Sequence, residues 1–416
     1  MENNILDNID TVMLGTRLQA ARKASGLTQQ DSADHMPMAR TTLVAVEKGE
    51  RRLTPQELIK LAKLYGRPVS DFVGRQAIVE GFLPQFRATM PKEKAAAQNG
   101  LTQARNKAEA ELEQVAQDLE RFAADYLELE QLCEMPLMKA YHPPYSTAGL
   151  SPEQAAEEIA AAERNRLGLG DGPIGNLRAC LENDVGLRIF YFKMPSKVAG
   201  VFAYNDTFGG CIGVNVAHPR DRRNWSLAHE YGHFLTNRFQ AEVTLLSIAR
   251  QNSVNERFAD AFAACFLMPA NGLNRRFSEK HRASEKGISP ADLIALANLY
   301  QVSVQALILR LESLKRLPRG TWDTLVSNGF KVREAQKILG IEANPPVVDS
   351  LPIRYRSLAV SAYNEGELSE GELMQFLRIS RVQSRMLVEE MSEQTIEENE
   401  GEFSRLPLDF AAVGGR

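Results

Sequence analysis

The sequence is poor in the features that mark secreted, disulfide-bonded or membrane-spanning proteins. It has four cysteines in 416 residues, scattered without a CxxC pair, which excludes a disulfide framework and fits a reducing compartment. No apolar run approaches the roughly 18 residues needed to span a bilayer. The first ten residues, MENNILDNID, lack a basic region followed by an apolar one, so a secretory signal is not expected. These absences predict a cytoplasmic protein with no membrane partner.

Negative charge slightly exceeds positive charge overall, but the balance is reversed near the start of the chain. The formal net charge is −4, yet residues 11–74 hold ten lysines and arginines against six acidic residues. The acidic excess lies late, in EEMSEQTIEENEGE at 389–402, where half the residues are glutamate. A basic segment on an acidic chain permits a nucleic-acid contact without proving one.

The length of the chain and its breaks indicate two or three domains. Helical spacing and turn signals divide residues 11–75 into several short helices, with Thr28 and Thr54 as N-caps. Residues 318–403 form a further, mostly helical region, for which the sequence predicts no role.

A long helix is predicted between these parts, at 91–132. Its apolar residues alternate steps of four and three over three heptads; they are Ala108, Leu112, Val115, Leu119, Phe122, Tyr126 and Leu129. Because three heptads make only a short seam, two interpretations stay open. In one the helix forms a dimeric coiled coil, and in the other it packs on its own domain.

Three short runs with β character follow at 186–193, 198–205 and 210–217, spaced as in a small antiparallel sheet. Helical patterns lie on both sides of them. The predicted fold class is therefore mainly α with a small β-sheet (α+β). Its parts are a helical N-terminal domain, a long helical connector, a central domain at 150–315 and a helical C-terminal region.

The stretch WSLAHEYGHFLTNR, at 225–238, carries the clearest chemical signal. On a helix, His229 and His233 lie on one face one turn apart, so both can reach one metal ion. Glu230 beside them can take a proton from the attacking water and return it to the leaving amine. The alternative is a helix that happens to carry two histidines, but with six histidines in the chain a chance HExxH is uncommon. His218 and His281 lack supporting spacing and are weaker candidates.

Downstream, NERFAD places Glu256 and Asp260 four residues apart, hence on one face of a second helix. The pair resembles the gluzincin peptidases, whose second helix carries N-E-x-x-[SA]-D. The resemblance implies that Glu256 is the third zinc ligand and that Asp260 holds the ring of His229. Without that resemblance, Glu256 and Asp260 are interpreted as part of an ordinary solvent-exposed helix face.

The flanking blocks extend the resemblance. CIGVNVAHPRDRRNWSLAHEYGHFL, NERFADAFAACFLMP and VSVQALILRL occur in order and are similar to the ImmA/IrrE family of metallopeptidases over about 150–315. The second helix departs from that family in one place, since Asp260 stands where asparagine is usual. The resemblance implies a zincin-like minimal metallopeptidase domain that binds Zn2+.

Residues 11–75 resemble the XRE (Cro/C1-type) helix-turn-helix domain, through R-x-x-x-G-L-T-Q and V-E-x-G. Pro37 departs from it, standing where the family turns with glycine. The resemblance implies a recognition helix at about 39–48. The residues expected at base edges are Arg40, Thr41 and Ala45, and those expected at phosphate are Thr28, Gln29 and Thr42.

Together these resemblances imply a transcription regulator that is also a zinc metallo-endopeptidase, cleaving an XRE-type repressor or itself to relieve repression. Its expected partners are double-stranded operator DNA, a protein substrate and a second copy in a homodimer. The β runs are expected to bind an extended substrate strand by edge pairing. The alternative is a DNA-binding regulator or antitoxin whose peptidase-like domain is a non-catalytic sensor or partner-binding module. In a third reading neither module reads DNA and both dock partners.

Overall fold

The chain forms two compact units, Met1–Met90 and Pro91–Arg416. The structure is a computed structural model. The residues that it describes are 11–36, 38–67, 69, 72, 99–239, 242–245, 254–283, 287–341, 350–398 and 402–407. The departure predicted at Pro37 lies outside these residues.

The first unit is a bundle of short helices, as the turn signals predict. The helices are α1 (Thr11–Ala24), α2 (Gln29–Asp34), α3 (Arg40–Glu47) and α4 (Pro55–Leu64). Thr28 caps α2 and Thr54 caps α4, each through a capping box in which the hydroxyl accepts a backbone N–H three residues on. The N-caps predicted at both threonines are confirmed.

One buried ion pair crosses the centre of the first unit. Arg22 on α1 donates from Nε to Glu47 Oε1 at 2.5 Å, and both side chains are almost fully buried. Gln29 adds a hydrogen bond from Nε2 to Glu47 Oε2 at 2.9 Å. The pair ties the end of α3 to α1 and α2, and so orients α3 within the bundle.

The second unit surrounds a small sheet with helices. Its strands are β1 (Arg188–Phe192), β2 (Val198–Asn205), β3 (Gly209–Asn215), β4 (Glu242–Leu245), β5 (Glu393–Glu398) and β6 (Glu402–Pro407). Its helices are α5 (Asn99–Leu132), α6 (Pro152–Arg166), α7 (Leu177–Cys180), α8 (Arg220–Asn237), α9 (Val254–Leu267), α10 (Ala270–Arg282), α11 (Pro290–Tyr300), α12 (Val304–Ser313), α13 (Thr321–Ser327), α14 (Val332–Ile338), α15 (Ile353–Asn364), α16 (Glu370–Leu377) and α17 (Arg381–Ser392). The α+β class is confirmed.

The main sheet is mixed, in the order β1-β3-β2-β4, so the expectation of an antiparallel sheet is wrong in part. β1 pairs with β3 in parallel, whereas β2 pairs with β3 and with β4 in antiparallel fashion. The strand β2 follows β1 in the chain but lies on the far side of β3. Spacing along the chain cannot reveal this order, because a five-residue connection is short enough to suggest a direct hairpin.

The side chain of Asn215 explains how the chain crosses the end of β3. Asn215 is fully buried, and its amide donates to the carbonyls of Met194, Pro195 and Val198 at 2.9–3.2 Å. Its Oδ1 accepts from the backbone N–H of Met194 at 3.3 Å. One side chain thus supplies hydrogen-bond partners to several backbone groups of the loop between β1 and β2.

Both faces of β1 are covered, since all five of its residues are buried. Ile189 and Tyr191 belong to the core that α8 and α9 share with the sheet. On the other face, Phe122 of α5 stacks on Phe190 with ring centroids 5.1 Å apart. The sheet is therefore a middle layer between α5 and the helix that carries the HEYGH motif.

The apolar seam of α5 is occupied within the second unit. Val115, Leu119, Phe122, Tyr126 and Leu129 are buried. The ring of Tyr126 meets that of Tyr355 on α15 edge to face, with centroids 5.3 Å apart. This arrangement agrees with the interpretation of a helix lying on its own domain, and it leaves the seam from 115 to 129 unavailable to a coiled-coil partner.

No single helix among the described residues is both long and apolar enough to cross a membrane. The pair α11 and α12 reaches that length and composition together, but its two helices are bent by 100° at the break. Both contribute buried leucines and isoleucines to the core of the second unit.

Candidate metal centre and helix-turn-helix surface

Helix α8 carries the HEYGH motif on a buried face. It begins at Arg220, directly after Pro219, and runs for 18 residues. His229, Glu230 and His233 are each at most 3 % exposed. Polar side chains are rarely buried so completely unless they have a partner or a task.

A glycine lets the second helix come close enough to complete the group. A Cβ added to Gly232 would lie 3.4 Å from the backbone of Ala259 and 3.1 Å from the ring of Phe262 on α9. The residue between the two histidines therefore permits the close contact between α8 and α9. This contact brings the first turn of α9, with Glu256, to the histidines.

The three predicted ligands converge. The Nε2 atoms of His229 and His233 lie 3.0 Å apart, and carboxylate oxygens of Glu256 lie 3.4 and 3.8 Å from them, respectively. One ligand atom of each residue lies within 4.8 Å of the others. Among the described residues this is the one group of three or more such side chains able to hold a metal ion.

Asp260 fixes the orientation of His229. Its Oδ1 lies 2.9 Å from His229 Nδ1, a hydrogen bond that places the ring proton on Nδ1 and directs Nε2 toward the group. Burial of His229 lowers its pKa, but the hydrogen bonds to Asp260 and Glu256 outweigh burial and raise this pKa to about 10. A cation is therefore favoured here, and a metal ion held by this group would take the place of the extra proton on the imidazole.

Glu230 lies between α8 and the sheet. It is 0 % exposed, and a Cβ added to Gly200 of β2 would come within 2.5 Å of its Oε1. The backbone of β2 therefore passes directly against the carboxylate, and any larger residue at 200 would force the carboxylate to move. The position of Glu230 depends on a strand that is distant from it in sequence.

The donor set is one that suits zinc. Two imidazole nitrogens and one carboxylate form the three-ligand set of catalytic zinc sites, which leaves a fourth position for water or substrate. The weaker candidates lie elsewhere: His218 Nε2 is 3.3 Å from the carbonyl of Ser196, and His281 stacks on Phe277. Cys265 is buried on α9, and burial raises its pKa to about 12.

In the first unit, the six residues predicted to contact DNA differ in solvent exposure and in their hydrogen-bond partners. Arg40 and Thr41 are exposed at the start of α3, whereas Thr42 and Ala45 are partly buried. Thr28 donates to Asp31 Oδ2 at 2.7 Å, and the amide nitrogen of Gln29 is bonded to Glu47. The exposed start of α3 is thus the part of the group best placed to meet a ligand.

Two protein families match separate parts of the chain. The family described as "Helix-turn-helix domain" matches residues 13–72, which span α1 to α4. The family described as "IrrE N-terminal-like domain" (Peptidase_M78) matches residues 182–312, which include α8 and α9. The chain joins a helix-turn-helix domain to an IrrE N-terminal-like domain. Among curated proteins, none matches the chain.

Two residues near the three candidate metal ligands were not predicted from the sequence. Gly200 on β2 lies against Glu230, and Trp225 on α8 contacts Asp260. A glycine inside a strand pattern is a recognised sign of close backbone approach, so Gly200 carried a usable signal. Trp225 carried none, because its partner Asp260 lies on another helix.

Proposed function

We propose that the protein is a zinc-dependent endopeptidase that regulates transcription. In this proposal His229, His233 and Glu256 hold zinc, and the first unit binds operator DNA. The substrate is a regulatory protein, either an XRE-type repressor or a copy of the protein itself. The observation that carries the proposal is the convergence of three zinc-type ligands beside the buried carboxylate of Glu230.

The chain supplies the proton transfers of peptide hydrolysis. A bound zinc ion supplies a Lewis acid that makes water acidic near neutral pH and polarises a carbonyl group. Glu230 takes a proton from the water as its oxygen adds to the peptide carbonyl carbon. The same carboxyl then donates that proton to the leaving nitrogen as the C–N bond breaks. Asp260 holds His229 in the tautomer that directs Nε2 toward the ligand group.

Of the two edges of the main sheet, the one formed by β4 is open to an extended substrate. The N–H of Tyr191 on β1 donates to the carbonyl of Ser350 at 2.9 Å, and β2 is flanked by β3 and β4. In the part of the chain that the structure describes, the outer edge of β4 has no neighbouring strand. An extended substrate would add to that edge, one strand away from Gly200 and Glu230.

The test is to incubate the zinc-loaded protein with the helix-turn-helix repressors of its own genome, with and without a chelator. We expect one zinc per chain and a discrete cut in a repressor, or in the chain itself, that the chelator abolishes. A protein that binds one zinc per chain and cuts neither would contradict the peptidase and favour the non-catalytic sensor.

Replacing Gly200 with alanine is expected to displace the carboxylate of Glu230 without touching a ligand. We expect cleavage to slow by about 100-fold, as for misplacement of a reacting group by about 1 Å. Zinc affinity is expected to stay at the wild-type value, because the three ligands lie on α8 and α9. Initial cleavage rates and a chelator competition measure the two effects; equal loss of both would contradict the assigned contact.

Replacing Arg40 with alanine is expected to weaken binding to the operator selectively. A bidentate contact from arginine to guanine is worth about 1–3 kcal/mol of discrimination, or about 5- to 150-fold in affinity. Lys60→Ala removes the same charge from the exposed face of α4 and serves as the matched control. Titrations of operator and scrambled DNA at one salt concentration separate the loss of base discrimination from the loss of charge. Unchanged selectivity in Arg40→Ala would contradict the assignment of α3 as the recognition helix.

The DNA-bound form is proposed to be a homodimer on two half-sites, as is usual for this kind of reader. In this proposal the dimer contact lies elsewhere than along 115–129, because that seam of α5 is buried within the second unit. Sedimentation with and without a palindromic operator distinguishes a dimer from a monomer.

A further inference from the structure

Two donors from one helix converge on the same oxygen of Asp260. His229 Nδ1 lies 2.9 Å from Asp260 Oδ1, and the indole Nε1 of Trp225 lies 3.5 Å from the same atom. Trp225 and His229 are four residues apart on α8, hence on one face of the helix. Helix α8 therefore directs two hydrogen-bond donors at the carboxylate of Asp260, and the indole makes the longer contact.

This second contact matters because Asp260 is not enclosed. Its side chain is 45 % exposed, whereas that of His229 is 3 % exposed. Water can compete for an exposed carboxylate, and a carboxylate bonded only to His229 can turn about its own side-chain torsions. A donor on a rigid helix restricts that rotation.

We propose that Trp225 is a positioning residue of the metal centre, acting through Asp260 on His229. The inference rests on the proposed zinc site. The indole N–H keeps Asp260 Oδ1 where it accepts the hydrogen bond from His229 Nδ1–H, so that Nε2 is directed toward His233 and Glu256 before a metal ion binds. The 3.5 Å separation is long for a hydrogen bond, so the contribution of Trp225 is smaller than that of Asp260.

The test measures zinc affinity rather than activity, by competition with a chelator. Loss of a group that directly supports a ligand typically costs about 10- to 100-fold in metal affinity, which is the range expected for Asp260→Ala. Trp225 lies one step further out, so Trp225→Phe is expected to weaken zinc binding by about 3- to 10-fold. Trp322→Phe is the matched control and is expected to bind zinc as the wild type does; these are the only two tryptophans in the chain.

A double-mutant cycle separates positioning from packing. If Trp225 acts through Asp260, adding Trp225→Phe to Asp260→Ala changes zinc affinity no further. A shape-preserving replacement checks the role of the donor. In the Trp322→Phe background, β-(3-benzothienyl)alanine at 225 keeps the ring system but replaces N–H with sulfur, and it should weaken zinc binding as phenylalanine does.

Four results would overturn the inference. Wild-type zinc affinity in Trp225→Phe, with a weakened Asp260→Ala, removes the role of Trp225 and leaves the proposed zinc site intact. An equal effect of Trp225→Phe in both backgrounds, or full affinity with the benzothienyl side chain, assigns the residue to packing alone. Failure of the wild-type protein to bind zinc overturns the proposed function together with this inference.

Discussion

Replacing Glu230 with glutamine is expected to leave zinc bound and to slow peptide cleavage by about 10²- to 10⁴-fold, the usual contribution of a general acid–base. The amide has the size of the carboxylate, so the contact with Gly200 is kept. It cannot accept the proton of the attacking water, so the transfer to the leaving nitrogen is lost as well. Initial rates on the cleaved repressor, with zinc content determined on the same samples, measure the effect.

The matched control for this variant is Glu256→Gln. It makes the same chemical change one helix away, but at a proposed ligand, so it is expected to lower zinc affinity by more than about 10-fold. Loss of cleavage with zinc retained in one variant and lost in the other assigns the two carboxylates to different tasks. Wild-type cleavage by Glu230→Gln would contradict the role of that residue.

Replacing Arg188 with alanine is expected to lower the free energy of unfolding of the second unit by about 3–5 kcal/mol, as when one partner of a buried ion pair is removed. Arg188 is 1 % exposed, and its Nη2 donates to both oxygens of Glu130 at 2.9 and 2.7 Å. Glu130 itself is 3 % exposed. Without the guanidinium, the carboxylate of Glu130 stays buried and keeps its longer contact with Arg354 Nη1, at 3.3 Å.

The measurement is urea unfolding followed by tryptophan emission, with chelator present to exclude metal binding. Both tryptophans lie in the second unit, so this signal follows that unit. The double variant Glu130→Gln/Arg188→Met removes both charges and is expected to recover part of the loss. A wild-type midpoint for Arg188→Ala would contradict the stabilising role of the pair.

Arg188 also shows how the C-terminal region joins the central domain. Glu130 on α5 binds Arg188 on β1 and Arg354 on α15, so one carboxylate connects three segments far apart in the chain. Residues 318–403 were predicted as a further helical region, without a role. Their helix α15 packs on α5, so this part of the region completes the layer behind the sheet.

The local chemistry of this protein was readable from its sequence. The N-caps at Thr28 and Thr54, and the common helical face of His229 and His233, depend on residues within one turn of each other. Such relations are set by the helical repeat alone. The predictions that the structure bears out there required no knowledge of distant contacts.

Only the tertiary structure decided what meets across the chain. It placed β3 between β1 and β2, buried the seam of α5, set Gly200 against Glu230 and brought Trp225 to Asp260. Each of these depends on which surfaces pack together, and packing follows from shape and burial over the whole unit rather than from any periodic pattern. The spacing within HEYGH determined which residues can bind a metal ion; the close contact at Gly232 decided that Glu256 reaches them.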